Sequence, residues 1–182
     1  MIELDKVEIK RKLKPAKNYF LALAKAIIYQ QISTKAGDSI YKKFISLFGK
    51  KNPTPKLLLQ FSEHDLRRVG LSKQKISYLN DLANKFLDKT IDQKVFKDMK
   101  DEEIKKHLIQ VKGIGPWTAD MFLIFALNRP NVLPIGDLGI VKGFQKAFRL
   151  KKTPNEKKMK KLSRPYEGSF TKFSLYLWQI LD

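Results

Sequence analysis

The sequence predicts an all-α protein, and three observations carry the prediction. Through most of the chain apolar residues recur at spacings of three and four, the mark of a helix face turned to a core. Serine and threonine caps, prolines at first helical positions and closing glycines bracket these stripes at short intervals. No segment offers a convincing series of alternating strands, and no internal repeat or interdomain linker breaks the pattern. About ten short helices are expected.

Residues 1–17 are the least regular part. Ile2, Leu4, Val7 and Ile9 alternate like a short strand, while the lysine-rich remainder suits a helix or an arm on the body. From Asn18, Phe20, Leu23, Ala24, Ile27 and Ile28 form a helical stripe that ends in Gln30, Gln31, Ile32 and Ser33. Two glutamines there either satisfy backbone groups at the helix end or serve a surface beyond it. Thr34 can cap the next helix, with Ala36, Ile40, Phe44 and Leu47 on one face and Gly49 at its end. Thr54-Pro55 and Ser62 start two short helices that turn Leu57, Leu58, Phe61, Leu66 and Val69 inward, and Gly70 closes the second. Ser72 caps a longer helix carrying Ile76, Leu79, Ala83 and Phe86. Lys73 and Lys75 follow this glycine turn, where a helix N-terminus and two cations suit either a phosphate or a solvated face. Residues 88–101 read as a polar connector with room for one turn of helix, and Asp101 begins a helix with Ile104 and Leu108 inward.

The next stretch, Leu108 to Leu138, organises the rest. An amphipathic run ends at Gly113-Ile114-Gly115, restarts on Pro116, whose fixed φ suits a first helical position, and continues as an apolar helix to Asn128 and Pro130. This is a helix, a tight hairpin and a second helix. Glycines that admit close approach and the unpaired N–H groups of a helix start make a ready phosphate site. In the following LPIGDL, Pro134 and Gly136 constrain a single acidic residue, Asp137, which can cap the helix from Leu138 or act chemically. An anchored phosphate and one rigid carboxylate point to chemistry on DNA. Beyond it, Ile140, Phe144, Ala147 and Phe148 mark a helix, Thr153-Pro154 starts a very basic one through Lys161, and FTKFSLYLWQIL is apolar nearly all round and must be buried.

Composition agrees. The 37 Lys and Arg against 18 Asp and Glu leave a formal charge of +19, which points to a polyanionic partner. With no cysteine, disulfides, thiolate metal sites and an iron-sulfur cluster are excluded. His64 and His107 have no metal-ligand partner in the sequence and read as surface residues. The absence of a long apolar run or a secretory signal suggests a soluble, intracellular, DNA-associated protein without a membrane partner.

The motifs IIYQQIS, LRRVGLSKQK, VKGIGPWTADMFL and VLPIGDLGI resemble those of the helix-hairpin-helix (HhH-GPD) DNA glycosylases, within them the 3-methyladenine DNA glycosylase II family. That resemblance covers roughly Phe20 to Trp178. It implies one domain over residues 1–182 with two helical lobes, 35–128 with the hairpin and 1–34 plus 129–182, and an active cleft between them. The chain then has no room for the N-terminal β domain of some relatives. The resemblance also implies a monofunctional enzyme acting as a monomer on double-stranded DNA containing damaged bases, without a required cofactor. Asp137 becomes the catalytic carboxylate. Gln31 becomes the residue that fills the gap left by an extruded base, with Ser33 beside it in the minor groove. Lys73, Lys75, Lys112, Gly113, Ile114, Gly115 and Thr118 would hold DNA backbone. Trp117 and Met121 would wall the base pocket, since an electron-poor alkylated base stacks well on a π face. A Na+ or K+ would sit on the carbonyls of Ile109, Val111 and Ile114. One departure concerns the segment before the last helix, where relatives usually carry tryptophan, proline, an aromatic and arginine. Here stands Ser163-Arg164-Pro165-Tyr166-Glu167, so Tyr166 is expected to supply the remaining aromatic surface. In bifunctional glycosylase-lyases a Schiff-base lysine immediately precedes the Thr-Ala pair, and here that position is Trp117.

Overall fold

Ten α-helices and two short 3-10 turns, with no strand among the described residues 2–182, make up the computed structural model. Met1 lies outside the described residues. The chain divides into two compact units, Met1–Pro15 with Asp120–Asp182 and Ala16–Ala119. No helix among the described residues is long and apolar enough to cross a membrane.

The unit Ala16–Ala119 is built on α5 (Lys73–Leu87), which packs against α1 (Tyr19–Tyr29), α3 (Pro55–Leu58) and α4 (Glu63–Arg68), with α2 (Thr34–Ser46) on α1. The stripe of α1 explains its place. Phe20, Leu23, Ala24, Ile27 and Ile28 are all buried, and each of the four larger side chains contributes roughly 2 kcal/mol relative to exposure. This corrects the expected lobe boundary, because α1 belongs with the hairpin unit rather than with the C-terminal residues. The caps at Thr54, Ser62 and Ser72 fall as the sequence predicts, each accepting a backbone N–H of the first turn, and Asn18 caps α1 in the same way. Ser33, not Thr34, caps α2. Residues 88–100 contain no helix, and His107 of α6 (Asp101–Leu108), expected on the surface, is half-buried with Nδ1 at 2.8 Å from the Thr90 carbonyl.

α7 (Pro116–Phe125) crosses the boundary between the units, and it ends where Asn128 takes a left-handed φ of 54°. In the other unit, α8 (Leu138–Ala147) packs on α10 (Phe170–Gln179) over a core of Leu4, Ile140, Phe144, Met159, Tyr166, Phe173 and Leu177. The basic helix α9 (Glu156–Ser163) starts two residues later than expected, because Asn155 supplies its cap. Contact between α8 and α10 depends on small residues. A Cβ at Gly143 would meet the Leu177 carbonyl oxygen at 2.6 Å, and one at Gly139 would meet the Trp178 ring at 2.7 Å.

Candidate active site and nucleic-acid interface

The carboxylate of Asp137 is set by two donors. Its Oδ1 accepts the Ile140 N–H at 2.8 Å, capping α8, and also the Trp178 indole N–H at 2.8 Å. The helix-cap and chemical readings of this residue are therefore compatible, since the cap itself orients the acid. The loop before it is stitched to one face of α10. Thr171 Oγ1 donates to the Arg129 carbonyl at 2.5 Å and accepts the Val132 N–H at 3.1 Å, and Ser174 Oγ donates to the Val132 carbonyl at 3.0 Å. Thr171, Ser174 and Trp178 stand at helical spacing i, i+3, i+7, a polar seam on a helix that reads as apolar all round. Asp137 N–H closes the last turn on the Pro134 carbonyl at 2.9 Å. Phe125 stacks on the Trp178 indole with ring centroids 5.9 Å apart, which holds the donor's plane. Next to the acid, Leu138 is 75% exposed, an apolar side chain turned to solvent at the helix start.

The hairpin differs in that side chains of other helices fix its backbone. Gly113 sits at φ 83°, and a Cβ there would lie 2.1 Å from the Tyr78 ring, so only glycine fits without displacing the tyrosine. Asp81 Oδ2 accepts the Lys112 N–H at 2.8 Å, and Gln30 Nε2 donates to the Gly113 carbonyl at 2.7 Å. The turn is thus braced from behind by α5 and by the end of α1. Gly115 faces open space, and its carbonyl accepts the Ala119 N–H at 3.0 Å, starting α7. Trp117 is 51% exposed in the first turn, and Met121 lies four residues on, on the same face of α7.

A model of the HhH-GPD superfamily of base excision DNA repair proteins matches residues 24–167.

The chain belongs to the HhH-GPD superfamily.

A DNA-3-methyladenine glycosylase of Saccharomyces cerevisiae is 39% identical over 173 residues, which are 91% of this chain and 58% of the yeast protein. The chain therefore spans less than two thirds of that relative. Among solved structures, DNA-3-methyladenine glycosidase of Bacillus halodurans matches with a TM-score of 0.87 at 30% identity, over 93% of this chain and 78% of that one. A Schizosaccharomyces pombe 3-methyladenine DNA glycosylase in complex with abasic DNA matches at 0.82 and 30% identity, over 97% and 87%.

Within this HhH-GPD chain several expected site residues take other places. Tyr166 is only 5% exposed, stacks on Phe173 at 4.2 Å, and its hydroxyl accepts the Ile2 N–H at 2.8 Å. It is a core residue and cannot wall an open pocket. Thr118 is 6% exposed, so its hydroxyl does not present itself to a duplex. The Ile114 side chain is buried as well. Lys75 turns inward, and its ammonium donates to the Ile28 carbonyl at 2.6 Å, closing the end of α1. Burial pushes its pKa below the usual lysine value. Lys73 and Lys112 remain exposed. Gln31 stands at the tip after α1 with a left-handed φ of 58°, while Ser33 Oγ accepts the Ala36 N–H at 3.3 Å as the cap of α2. The tip is clamped by Tyr29, whose hydroxyl donates to Asp38 at 2.5 Å and is pushed up to about 12 chiefly by that bond. Gly37 makes room for the Tyr29 ring, which a Cβ would meet at 2.6 Å.

Proposed function

We propose that the protein is a monofunctional DNA glycosylase that removes alkylated purines, of the 3-methyladenine and 7-methylguanine type, from double-stranded DNA. The observation that carries this reading is the oriented carboxylate, Asp137 fixed by the α8 N-terminus and the Trp178 indole, in a chain whose relatives are named for this activity. A base stacked in a duplex is unreachable, so the nucleotide is rotated out and received elsewhere. The gap is then filled by Gln31 at the tip between α1 and α2. Alkylation at N3 or N7 makes the base cationic and a good leaving group. As the C1′–N bond breaks, its electron pair leaves with the base, and the sugar becomes oxocarbenium-like. A fixed carboxylate stabilises that charge and takes a proton from the water that adds to C1′. Trp117 supplies an exposed aromatic face for the cationic base.

The hairpin backbone around Gly113 and Gly115 holds a phosphate without reading a base, with Lys112 adjacent in sequence and Lys73 at the start of α5, the helix that braces the turn, to add positive charge. Three carbonyls there suit a hard monovalent cation. That of Ile109 ends α6, where helical carbonyls lack an intrahelical partner, and that of Val111 accepts the Ile114 N–H at 3.0 Å. With the Ile114 carbonyl they would hold Na+ or K+. Trp117 at the lyase position supports hydrolysis by water rather than by a lysine nucleophile.

Incubation with a panel of duplexes carrying single alkylated or deaminated bases, read as free base released and as borohydride-trapped protein, tests the reading. Release of alkylated purines without a trapped adduct is expected. Binding without release from any duplex would make the protein a non-enzymatic hairpin module, and a trapped adduct in good yield would make it a glycosylase-lyase.

A further inference from the structure

The N-terminal segment lies outside the residues matched by the superfamily model, yet the structure builds it into the unit that carries Asp137. Leu4 is buried in the core of that unit. Gln179, one residue after Trp178, grips the extended chain with both ends of its amide. Its Oε1 accepts the Lys10 N–H at 2.9 Å, and its Nε2 donates to the Glu8 carbonyl at 3.0 Å. This fixes the next residue, Arg11, whose guanidinium carbon lies 4.0 Å over the centre of the Phe125 ring. Phe125 in turn stacks on Trp178, the donor to Asp137.

A guanidinium held over a ring keeps its N–H donors around its own edge, and it has no acceptor. Arg11 is exposed, and no carboxylate or carbonyl among the described residues takes up those donors. Lys10, Lys12 and Lys14 surround it with no acid between them, so the ligand this segment fits is anionic. A stacked, preorganised fork of donors matches the paired oxygens of a phosphate better than a mobile lysine does.

We propose that Arg11 is a phosphate ligand for the DNA backbone, and that the segment Glu8–Arg11 is a second backbone-binding element in addition to the hairpin, belonging to the unit of the catalytic carboxylate. The proposal rests on the reading of duplex DNA as substrate. It makes the grip on the damaged strand two-sided in origin, one contact from backbone amides and one from a side chain clipped to α10.

The test compares Arg11→Ala, Arg11→Lys and Lys12→Ala with the unmodified full chain, all first checked by circular dichroism and thermal melting. Affinity for an undamaged duplex and for one with a single abasic site is measured as a function of salt, which requires no excision. Arg11→Ala should weaken binding roughly tenfold and reduce the slope of log affinity on log salt by about 0.9, the loss of one phosphate contact. Arg11→Lys should restore the slope but only part of the affinity, because the charge returns without the fork. Lys12→Ala should lose clearly less affinity than Arg11→Ala. Unchanged affinity and slope in Arg11→Ala, or equal losses at Arg11 and Lys12, would overturn the proposal. So would slowed excision with an intact salt slope, which would make Arg11 a prop for Phe125 and Trp178. If the unmodified protein binds no duplex at all, the functional reading falls first; if it binds and Arg11 is silent, only this proposal falls.

Discussion

The hairpin and the Asp137 loop are both held by helices remote in sequence, but they offer different parts of the chain to a ligand. At the hairpin the groups proposed to bind are backbone, and the side chains of Tyr78, Asp81 and Gln30 stand behind them as braces. At the loop the useful group is one side chain, and the backbone around it is what is braced, by Thr171, Ser174 and Trp178. Substitutions should therefore separate. Damage to the hairpin should weaken binding irrespective of the lesion, whereas damage around Asp137 should slow turnover and leave binding in place.

Gly113→Val should have the largest effect on the fold. A β-branched residue at φ 83° is strained, and its Cβ meets the Tyr78 ring, so the expected loss is roughly 3 kcal/mol in denaturant unfolding together with failure to bind any duplex. If binding survived with only one lesion type affected, the hairpin would be reading bases and the comparison would break. Trp178→Phe comes next. It keeps a ring to stack on Phe125 but removes the N–H to Asp137, and loss of one donor to a charged group should slow single-turnover excision by about tenfold. Equal loss in lesion binding would show that Trp178 acts as a wall rather than as a positioning residue. The smallest effect on the fold belongs to Gly115→Val, because its Cβ enters open space. Stability should fall by about 1 kcal/mol or less, while affinity for every duplex falls and its salt dependence persists. Unaltered affinity would move the phosphate site away from Gly115.

The two regions also differ in how well the sequence discloses them. Gly113 and Pro116 mark the hairpin through their special φ, and Gly115 through the open space beside its backbone. Asp137 is equally visible between Gly136 and Leu138, as are most of the helices and their caps. What the sequence conceals is every contact that a third element supplies. Trp178 is 41 residues from the carboxylate it orients, on a helix whose apolar density masks the Thr171, Ser174 and Trp178 seam. That seam could have been found by asking which face of α10 carries its hydrogen-bonding side chains. Tyr166 misled for the reverse reason. Its place in a departing motif suggested a pocket wall, whereas its neighbours Phe173 and Ile2 are assembled only by folding. Lys75 illustrates the same limit, since spacing cannot tell a lysine that turns inward to a carbonyl from one that meets a phosphate.

The central claim is that Asp137 contributes charge at the moment the glycosidic bond breaks, over and above capping α8. Asp137→Asn isolates that charge, because an asparagine carbonyl oxygen can still accept the Ile140 and Trp178 donors. The measurement is single-turnover excision of an alkylated purine by this variant, alongside its melting temperature and its affinity for the same duplex. With melting and affinity near those of the unmodified protein, excision should fall roughly a hundredfold, on the order of 3 kcal/mol of transition-state stabilisation. Excision at close to the unmodified rate by the folded variant would reduce Asp137 to a helix cap and contradict the account.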